Sequence, residues 1–301
     1  MRATQTTTYR SLQSFLDRTS DKLASLQLQA ATGKRVNRPS DDPTAISPIL
    51  SAKTQIQTSD RYIETIETGL DRIDGVDGYL DDIENTLVRL KEISIATVNS
   101  SLSPQDMLTY AEEVVHLRES LVASGNAQID GKYIFSGFSE KTPPFAPNDP
   151  NQPVSATNPI VYNGDNGSVE FEIAPNELIK VNLAGDDLMF GGVDIFALVT
   201  SFEDALRSND PATVQTLIDP LESAADQVRS QRSLKGNVGR RLEVALDHME
   251  QIKIDMEAFR SRFEDADILE TITEMQKQEQ SFEAALNVTG KVSQLSILDY
   301  I

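Results

Sequence analysis

The sequence predicts a mainly α-helical protein with a small inserted β domain, elongated and built from discontinuous domains. Its N- and C-terminal helices are expected to pair as a coiled-coil-like bundle beside long helices. Three observations carry this. Apolar residues recur at steps of three and four along both halves of the chain. Residues 142–159 hold six of the 13 prolines, which excludes helix there. Asp-Gly and Asn-Gly pairs lie between strand-like runs in the middle of the chain.

The first helix is expected over residues 9–30, where Tyr9, Leu12, Leu16, Thr19, Leu23, Leu26 and Ala30 form one stripe, weakened at Thr19. Gly33 should close it as a C-cap. The next residues, GKRVNRPSDDP, read as a basic loop followed by a proline-bracketed turn into a new helix. From about Thr44 the pattern hardly stops before Asn99, with Ile63, Ile66, Leu70, Ile73, Val76, Leu80, Ile83, Leu87, Leu90 and Ile93 keeping step. Such a helix, at 1.5 Å per residue, is about 80 Å long and exceeds a compact domain. Ser103 and Pro104 should begin another helix that runs to about Asn126 on Leu108, Ala111, Val115, Leu117 and Leu121.

The grammar changes at NAQIDGKYIFSGF, residues 126–138. A turn at Asp130-Gly131 should lead into a strand at Tyr133–Phe135. IVYNGDNGSVEFEI suggests a hairpin across its Asn-Gly pairs, and ELIKVNLA at 177–184 a third strand. Helix resumes at Asp194. Asp210-Pro211 starts one segment, Pro220 should kink it or start another, and the last runs from about Ala266 on Ile272, Met275, Phe282, Ala285, Val288, Val292, Leu295 and Leu298. The domains expected are therefore 1–40 with 265–301 for the terminal bundle, 41–137 with 191–264 for the long helices, and 138–190 for the β insert.

Two terminal helices cannot bury both stripes against each other alone, because ordering their backbone costs more than a half-covered stripe returns. The pair should need further surface from neighbouring subunits.

Composition removes several classes of function. The chain has 301 residues, no cysteine, no tryptophan and two histidines. Disulfides, thiol catalysis and thiolate zinc sites are thereby excluded. A formal net charge of −20 argues against nucleic acid, whose phosphates need clustered Lys and Arg. The longest apolar run is the five residues Ile195–Val199, against roughly 20 needed to span a bilayer, so no membrane association is expected. The start of the chain lacks the apolar core of a secretory signal. Asp71, Asp74 and Asp77 are spaced every three residues, unlike the alternate ligands of a calcium loop, and read as a solvated helix face. His116 and His248 lie on separate helices. No catalytic constellation, cofactor site or metal site is read from the sequence, and the protein is not expected to be an enzyme.

The loop and its surroundings have a familiar pattern. AATGKRVNRPSDDPTAI, NAQIDGKYIFSG, YNGDNG with VNLAGDDLMF, and the closing FEDADILETITEMQKQEQSFEAALNVTGKVSQLSILDYI together resemble the flagellin-like family at both ends and in the centre. The terminal LDYI and the YIFSG segment lean toward that family's hook–filament junction members rather than flagellin, the filament subunit, which stays the alternative. The resemblance implies an extracellular structural protein of the bacterial flagellum. It would be exported without a cleavable signal by the type III apparatus with a chaperone, and assembled as a ring of copies between hook-associated protein 1 and flagellin. It also implies that the terminal helices make the inner layer. On that reading the assembly interface comprises Leu12, Leu16, Leu23, Leu26, Phe282, Leu286, Val292, Leu295 and Leu298. Lys34, Arg35 and Arg38 would meet acids such as Glu264, Asp265 and Asp267 across subunits, or else simply complement a helix C-terminus.

Overall fold

The computed structural model describes residues 2–99 and 102–298, with side chains described at Thr7, 9–99 and 102–291. Helix α1 (Arg2–Thr32) stops where Gly33 takes φ 68, a left-handed conformation that glycine adopts without a steric penalty. Helix α2 (Pro43–Asn99) is one element of 57 residues. The chain packs as two compact units, residues 1–60 with 251–301, and residues 61–250.

In the unit 61–250, α2 buries Ile66, Ile73, Leu80 and Leu87 alternating with Val76, Ile83 and Leu90. That spacing averages 3.5 residues, the period of a coiled-coil seam. Helix α3 (Pro104–Gly125) opens on a capping box, in which Ser103 and Asp106 satisfy each other's backbone N–H groups. Its buried face differs from the expected one. Met107, Ala111, Val114, Arg118 and Leu121 point inward, and Leu108 is 38% exposed. Neighbouring apolar residues made two stripes possible, and the buried ion pair of Arg118 with Glu203 belongs to this one. Glu203 lies on helix α5 (Ile195–Arg207), which packs on α3, and also accepts from Arg207 at 2.7 Å.

Helix α6 (Pro211–Glu264) is opened by Asp210, whose carboxylate accepts the N–H groups of Ala212 and Thr213. Pro220 lies inside it and does not split it. Within this unit α6 runs antiparallel to α2. Arg232 donates to Asp77 at 2.8 Å and Asp81 at 2.6 Å, and Arg229 donates to Glu84 at 2.9 Å. The expected solvated face of Asp71, Asp74 and Asp77 is thus corrected: Asp77 is an ion-pair partner, while Asp71 and Asp74 are exposed.

Three two-stranded antiparallel pairs follow α3, the first just ahead of the 138–190 insert and two within it. Strands β1 (Gln128–Ile129) and β2 (Lys132–Tyr133) join through Asp130 and Gly131, both at positive φ. Ile134 and Phe135, expected in strand, lie beyond it and are buried in the core. The hairpin expected across 162–169 does not form. Strand β4 (Ile160–Tyr162) pairs with β3 (Phe145–Pro147), and β5 (Glu170–Ala174) pairs with β6 (Glu177–Lys180). The physical reason lies in the loop between β4 and β5. The Tyr162 hydroxyl bonds the carbonyls of Phe135 and Asp165, and the Asp165 carboxylate accepts N–H groups of Phe138 and Gly167. The bonds to Phe135 and from Phe138 tie the loop to residues 135–138, and the other two close it locally around Asp165, so the flanking strands do not pair with each other. The third strand stops at Lys180, and a short helix α4 (Gly185–Met189) follows.

Lys235 on α6 is buried, and its ammonium donates to the Asn182 carbonyl at 2.5 Å. Burial pushes its pKa down to about 8, helped by Lys180 and Arg72 and opposed by Asp187. Below pH 8 both folded and unfolded chains hold this proton. Between about pH 8 and 10.5 only the unfolded chain does, so stability should rise with pH there, by roughly 3 kcal/mol from this group. Urea unfolding of wild type and Lys235→Met between pH 7 and 11 should give curves that diverge in slope across that window. Parallel curves would remove the assignment.

Candidate assembly surface

The site is built in the unit of residues 1–60 and 251–301, at the joint between α1 and α2. After Gly33 the chain meets the end of α6. Lys34 and Asp265 form an antiparallel bridge, and the N–H groups of Arg35 and Val36 both donate to the Glu264 carbonyl, at 2.7 and 3.2 Å. The Ala266 N–H donates to the Gly33 carbonyl at 2.9 Å. Val36 then packs with Ala45 and Ile49 in a small apolar cluster that Phe263 borders.

The acidic turn is fully committed to this joint. One Asp41 oxygen accepts the N–H groups of Asn37 and Arg38, at 3.0 and 2.7 Å. Asp42 caps α2 through the N–H groups of Thr44 and Ala45 and pairs with Arg35 at 3.0 Å. Hydrogen bonds from the Thr44 hydroxyl and then from Arg35 hold the Asp42 carboxyl at about 2. A second Arg35 nitrogen donates to the Phe263 carbonyl at 2.9 Å.

Glu264 is the charged centre. It is 3% exposed, and one carboxylate oxygen accepts from both Lys34 and Lys53 at 2.9 Å. Arg260 Nε stands 3.3 Å from the other oxygen without hydrogen-bond geometry, so it contributes charge and not a directed bond. Burial pushes this carboxyl up, yet the bonds from Lys34 and Lys53 outweigh it and hold it below the usual range. Asp267 is used differently. Its carboxylate accepts the N–H groups of Leu269 and Glu270 and so caps helix α7 (Ile268–Leu298).

The terminal helices α1 and α7 pack antiparallel, and their seam is thin. Thr19, Leu26, Thr271 and Ala285 are buried, while Leu12, Leu16, Leu23 and Phe282 are only half-buried. Thr19, which weakens the apolar stripe, is accommodated by bonding its hydroxyl to the Phe15 carbonyl, and Gln278 reaches its carbonyl at 3.4 Å. Apolar side chains also face outward. Tyr9, Phe15 and Leu28 on α1, and Ile268, Leu269, Ile272, Leu286 and Val288 on α7, are exposed, Leu269 by 80%. Tyr9, Ile272 and Val288 therefore leave the stripes assigned to them from sequence.

Of the expected interface residues, the structure brings Lys34 to Glu264 and Arg35 to Asp42 within one chain. Asp265 is joined to Lys34 through its backbone, and Asp267 is a cap. Arg38 is exposed, with its backbone N–H engaged. Leu286 is exposed, and the side chains of Val292, Leu295 and Leu298 lie outside the described residues. Lys53, Arg260 and Asp42 were missed as site residues. For Asp42 a signal existed, since Asp-Pro-Thr is a helix-start pattern whose aspartate caps. Among the described residues no group of three or more His, Asp or Glu could hold a metal ion, and no helix is long and apolar enough to cross a membrane.

Comparison with known proteins places these features. Residues 4–140 match the family model of the bacterial flagellin N-terminal helical region, and residues 218–301 match that of the C-terminal helical region. The chain belongs to the flagellin family. Flagellar hook-associated protein 3 of Escherichia coli (strain K12) is 24% identical over 72% of this chain and 69% of its own length. The flagellar filament 30.7 kDa core protein of Treponema maltophilum is likewise 24% identical, over 83% of this chain and 81% of its own. Among solved structures, a putative flagellar hook-associated protein from Vibrio parahaemolyticus has a TM-score of 0.67 at 18% identity, over 75% of this chain and all of that one. The flagellar junction protein FlgL from Legionella pneumophila has a TM-score of 0.61 at 18% identity, over 72% of this chain and all of that one. This flagellin-family chain is thus similar both to hook-associated proteins and to filament proteins of the flagellum.

Proposed function

We propose that the protein is the adaptor between hook and filament, assembled as a ring of identical copies with hook-associated protein 1 on one side and flagellin on the other. The single observation carrying this is the terminal helix pair, with its half-buried seam and the outward apolar side chains Phe15, Leu28, Leu269 and Leu286. Such surface is covered in water only by association. The parts 1–40 and 265–301 would form the inner assembly layer, 41–137 with 191–264 the shell around it, and 138–190 the outer surface. Leu12, Leu16, Leu23, Leu26, Phe282, Leu286, Val292, Leu295 and Leu298 would meet neighbouring subunits. Arg38, turned outward at the joint, is the basic group best placed to meet an acid of a neighbour. Export by the type III apparatus, escorted by a chaperone, would deliver the chain to the flagellum. The hook-associated relatives support this reading, and filament proteins of like identity keep a filament subunit as the second one.

Complementation of a strain lacking the gene decides the matter. Full-length chain should restore filaments on bare hooks, and chains lacking the first or last thirty residues should be made and exported yet restore none. Filaments grown by purified protein alone would favour the flagellin reading, and restored filaments with either truncation would end the proposal.

A further inference from the structure

We propose that Asn163 is a site of spontaneous deamidation and isoaspartate formation, while the neighbouring Asn166, equally exposed and in the same dipeptide context, is held back by hydrogen bonds. The chain contains two Asn-Gly pairs, 163–164 and 166–167, three residues apart in one loop. In such a pair the backbone nitrogen of glycine, deprotonated by hydroxide, attacks Cγ of the asparagine side chain. The Cγ–Nδ2 bond breaks, ammonia leaves, and a five-membered succinimide closes. Water then opens either carbonyl, giving aspartate or an isoaspartate whose backbone runs through the former side chain. Glycine favours the attack because no Cβ crowds its nitrogen.

The two pairs differ in what holds the reacting groups. At the second, the Gly167 N–H donates to Asp165 Oδ1 at 2.8 Å and the Asn166 amide donates to Asp186 Oδ2 at 3.1 Å. Nucleophile and leaving group are both engaged, and both bonds go to carboxylates. At the first, Asn163 is exposed, and neither its carboxamide nor the Gly164 N–H has a hydrogen bond among the described residues. Only the main chain around them is pinned, by Asn163 N–H to Pro144 O at 2.7 Å and Asp165 N–H to Ser136 O at 3.1 Å. The carboxamide is free to turn onto a free nitrogen.

The pins give the product a consequence. Isoaspartate adds one atom to the main chain between them, beside Asp165, whose carboxylate gathers Phe138 N–H, Gly167 N–H and the Ser139 hydroxyl. The modified loop should therefore hold Phe138 and Gly167 less firmly. The reaction needs no partner and does not depend on the assembly role proposed above.

The test incubates purified full-length protein at mildly alkaline pH in water enriched in heavy oxygen and maps peptides by mass. In the folded chain Asn163 should deamidate about tenfold faster than Asn166, the ratio imposed by retaining one hydrogen bond to a charged acceptor. In concentrated urea the two rates should converge, and Asn163→Gln should abolish the main product. Amide exchange at Phe138 and Gly167 should quicken in the isoaspartate fraction. The proposal is overturned if Asn166 reacts as fast as Asn163 in the folded chain. It is equally overturned if folded Asn163 reacts no faster than Asn237, which precedes valine.

Discussion

Replacing Glu264 by alanine is expected to destabilise the unit of residues 1–60 and 251–301 by roughly 2–3 kcal/mol, while leaving the unit 61–250 folded. Glu264 is the buried carboxylate shared by Lys34 and Lys53, with Arg260 beside it, and its removal leaves three cations facing one another. The penalty stays below that of a fully buried pair because all three bases keep part of their side chains in water. Glu264→Gln keeps the acceptor and the shape but not the charge, so it should fall between wild type and alanine. Acid should mimic the substitution. The carboxyl is held below its ordinary value in the folded chain, so its contribution is full above the unfolded carboxylate pKa and is lost as pH falls through the lower folded one. Amide exchange read at Arg35, Val36 and Ala266, whose N–H groups bond across the joint, separates this local loss from global unfolding. Unchanged protection at those three amides in Glu264→Ala would remove Glu264 from the centre of the joint.

Most of the helical scaffold was legible because its signals are local. The stripe from Ile66 to Ile93 keeps its period for nearly thirty residues, and only one face of a helix can satisfy that. Gly33, Ser103 and Asp210 mark boundaries through their own backbone or side-chain chemistry, and each stands where the sequence placed it. Three kinds of error share a cause, which is that the deciding partner is distant in sequence. Leu108 yields to Met107 because the face of α3 is chosen together with the Arg118–Glu203 pair, 85 positions apart. Tyr162 and Asp165 join residues 135–139 and prevent the hairpin that two Asn-Gly pairs suggest. For the basic loop, sequence pointed to acids across subunits, and the fold places Glu264, 230 positions from Lys34, against it within the same chain. Asp42 shows the reverse case, a cap with a readable local signal whose second role, holding Arg35, only the fold reveals.

The segment that sequence described least, the proline-rich stretch 142–159, contains a keystone of the core, and Phe145→Ala should have the largest single-residue effect on the unit 61–250. Phe145 is 1% exposed, and its ring lies 5.4 Å from Phe196, 5.6 Å from Tyr162 and 6.3 Å from Phe190. Its backbone is fixed as well, since the Phe145 N–H donates to Asn126 Oδ1 at 2.9 Å and its carbonyl accepts from the same amide group at 2.7 Å. The ring fills space that two glycines leave open. A Cβ at Gly125 would come within 2.7 Å of it, and one at Gly185 within 2.6 Å. Helix end, β3, β4 and α5 thus meet on one side chain, and truncating it removes the transfer energy of a phenyl group and leaves a cavity whose rigid walls cannot close. The expected loss is about 3–5 kcal/mol in urea unfolding. Phe145→Leu, which keeps much of the volume but not the ring contacts, should lose clearly less. If alanine and leucine cost the same, ring packing and not filled volume sets the value. If both cost under about 1 kcal/mol, the insert hangs on the helices by other contacts and Phe145 is not its anchor.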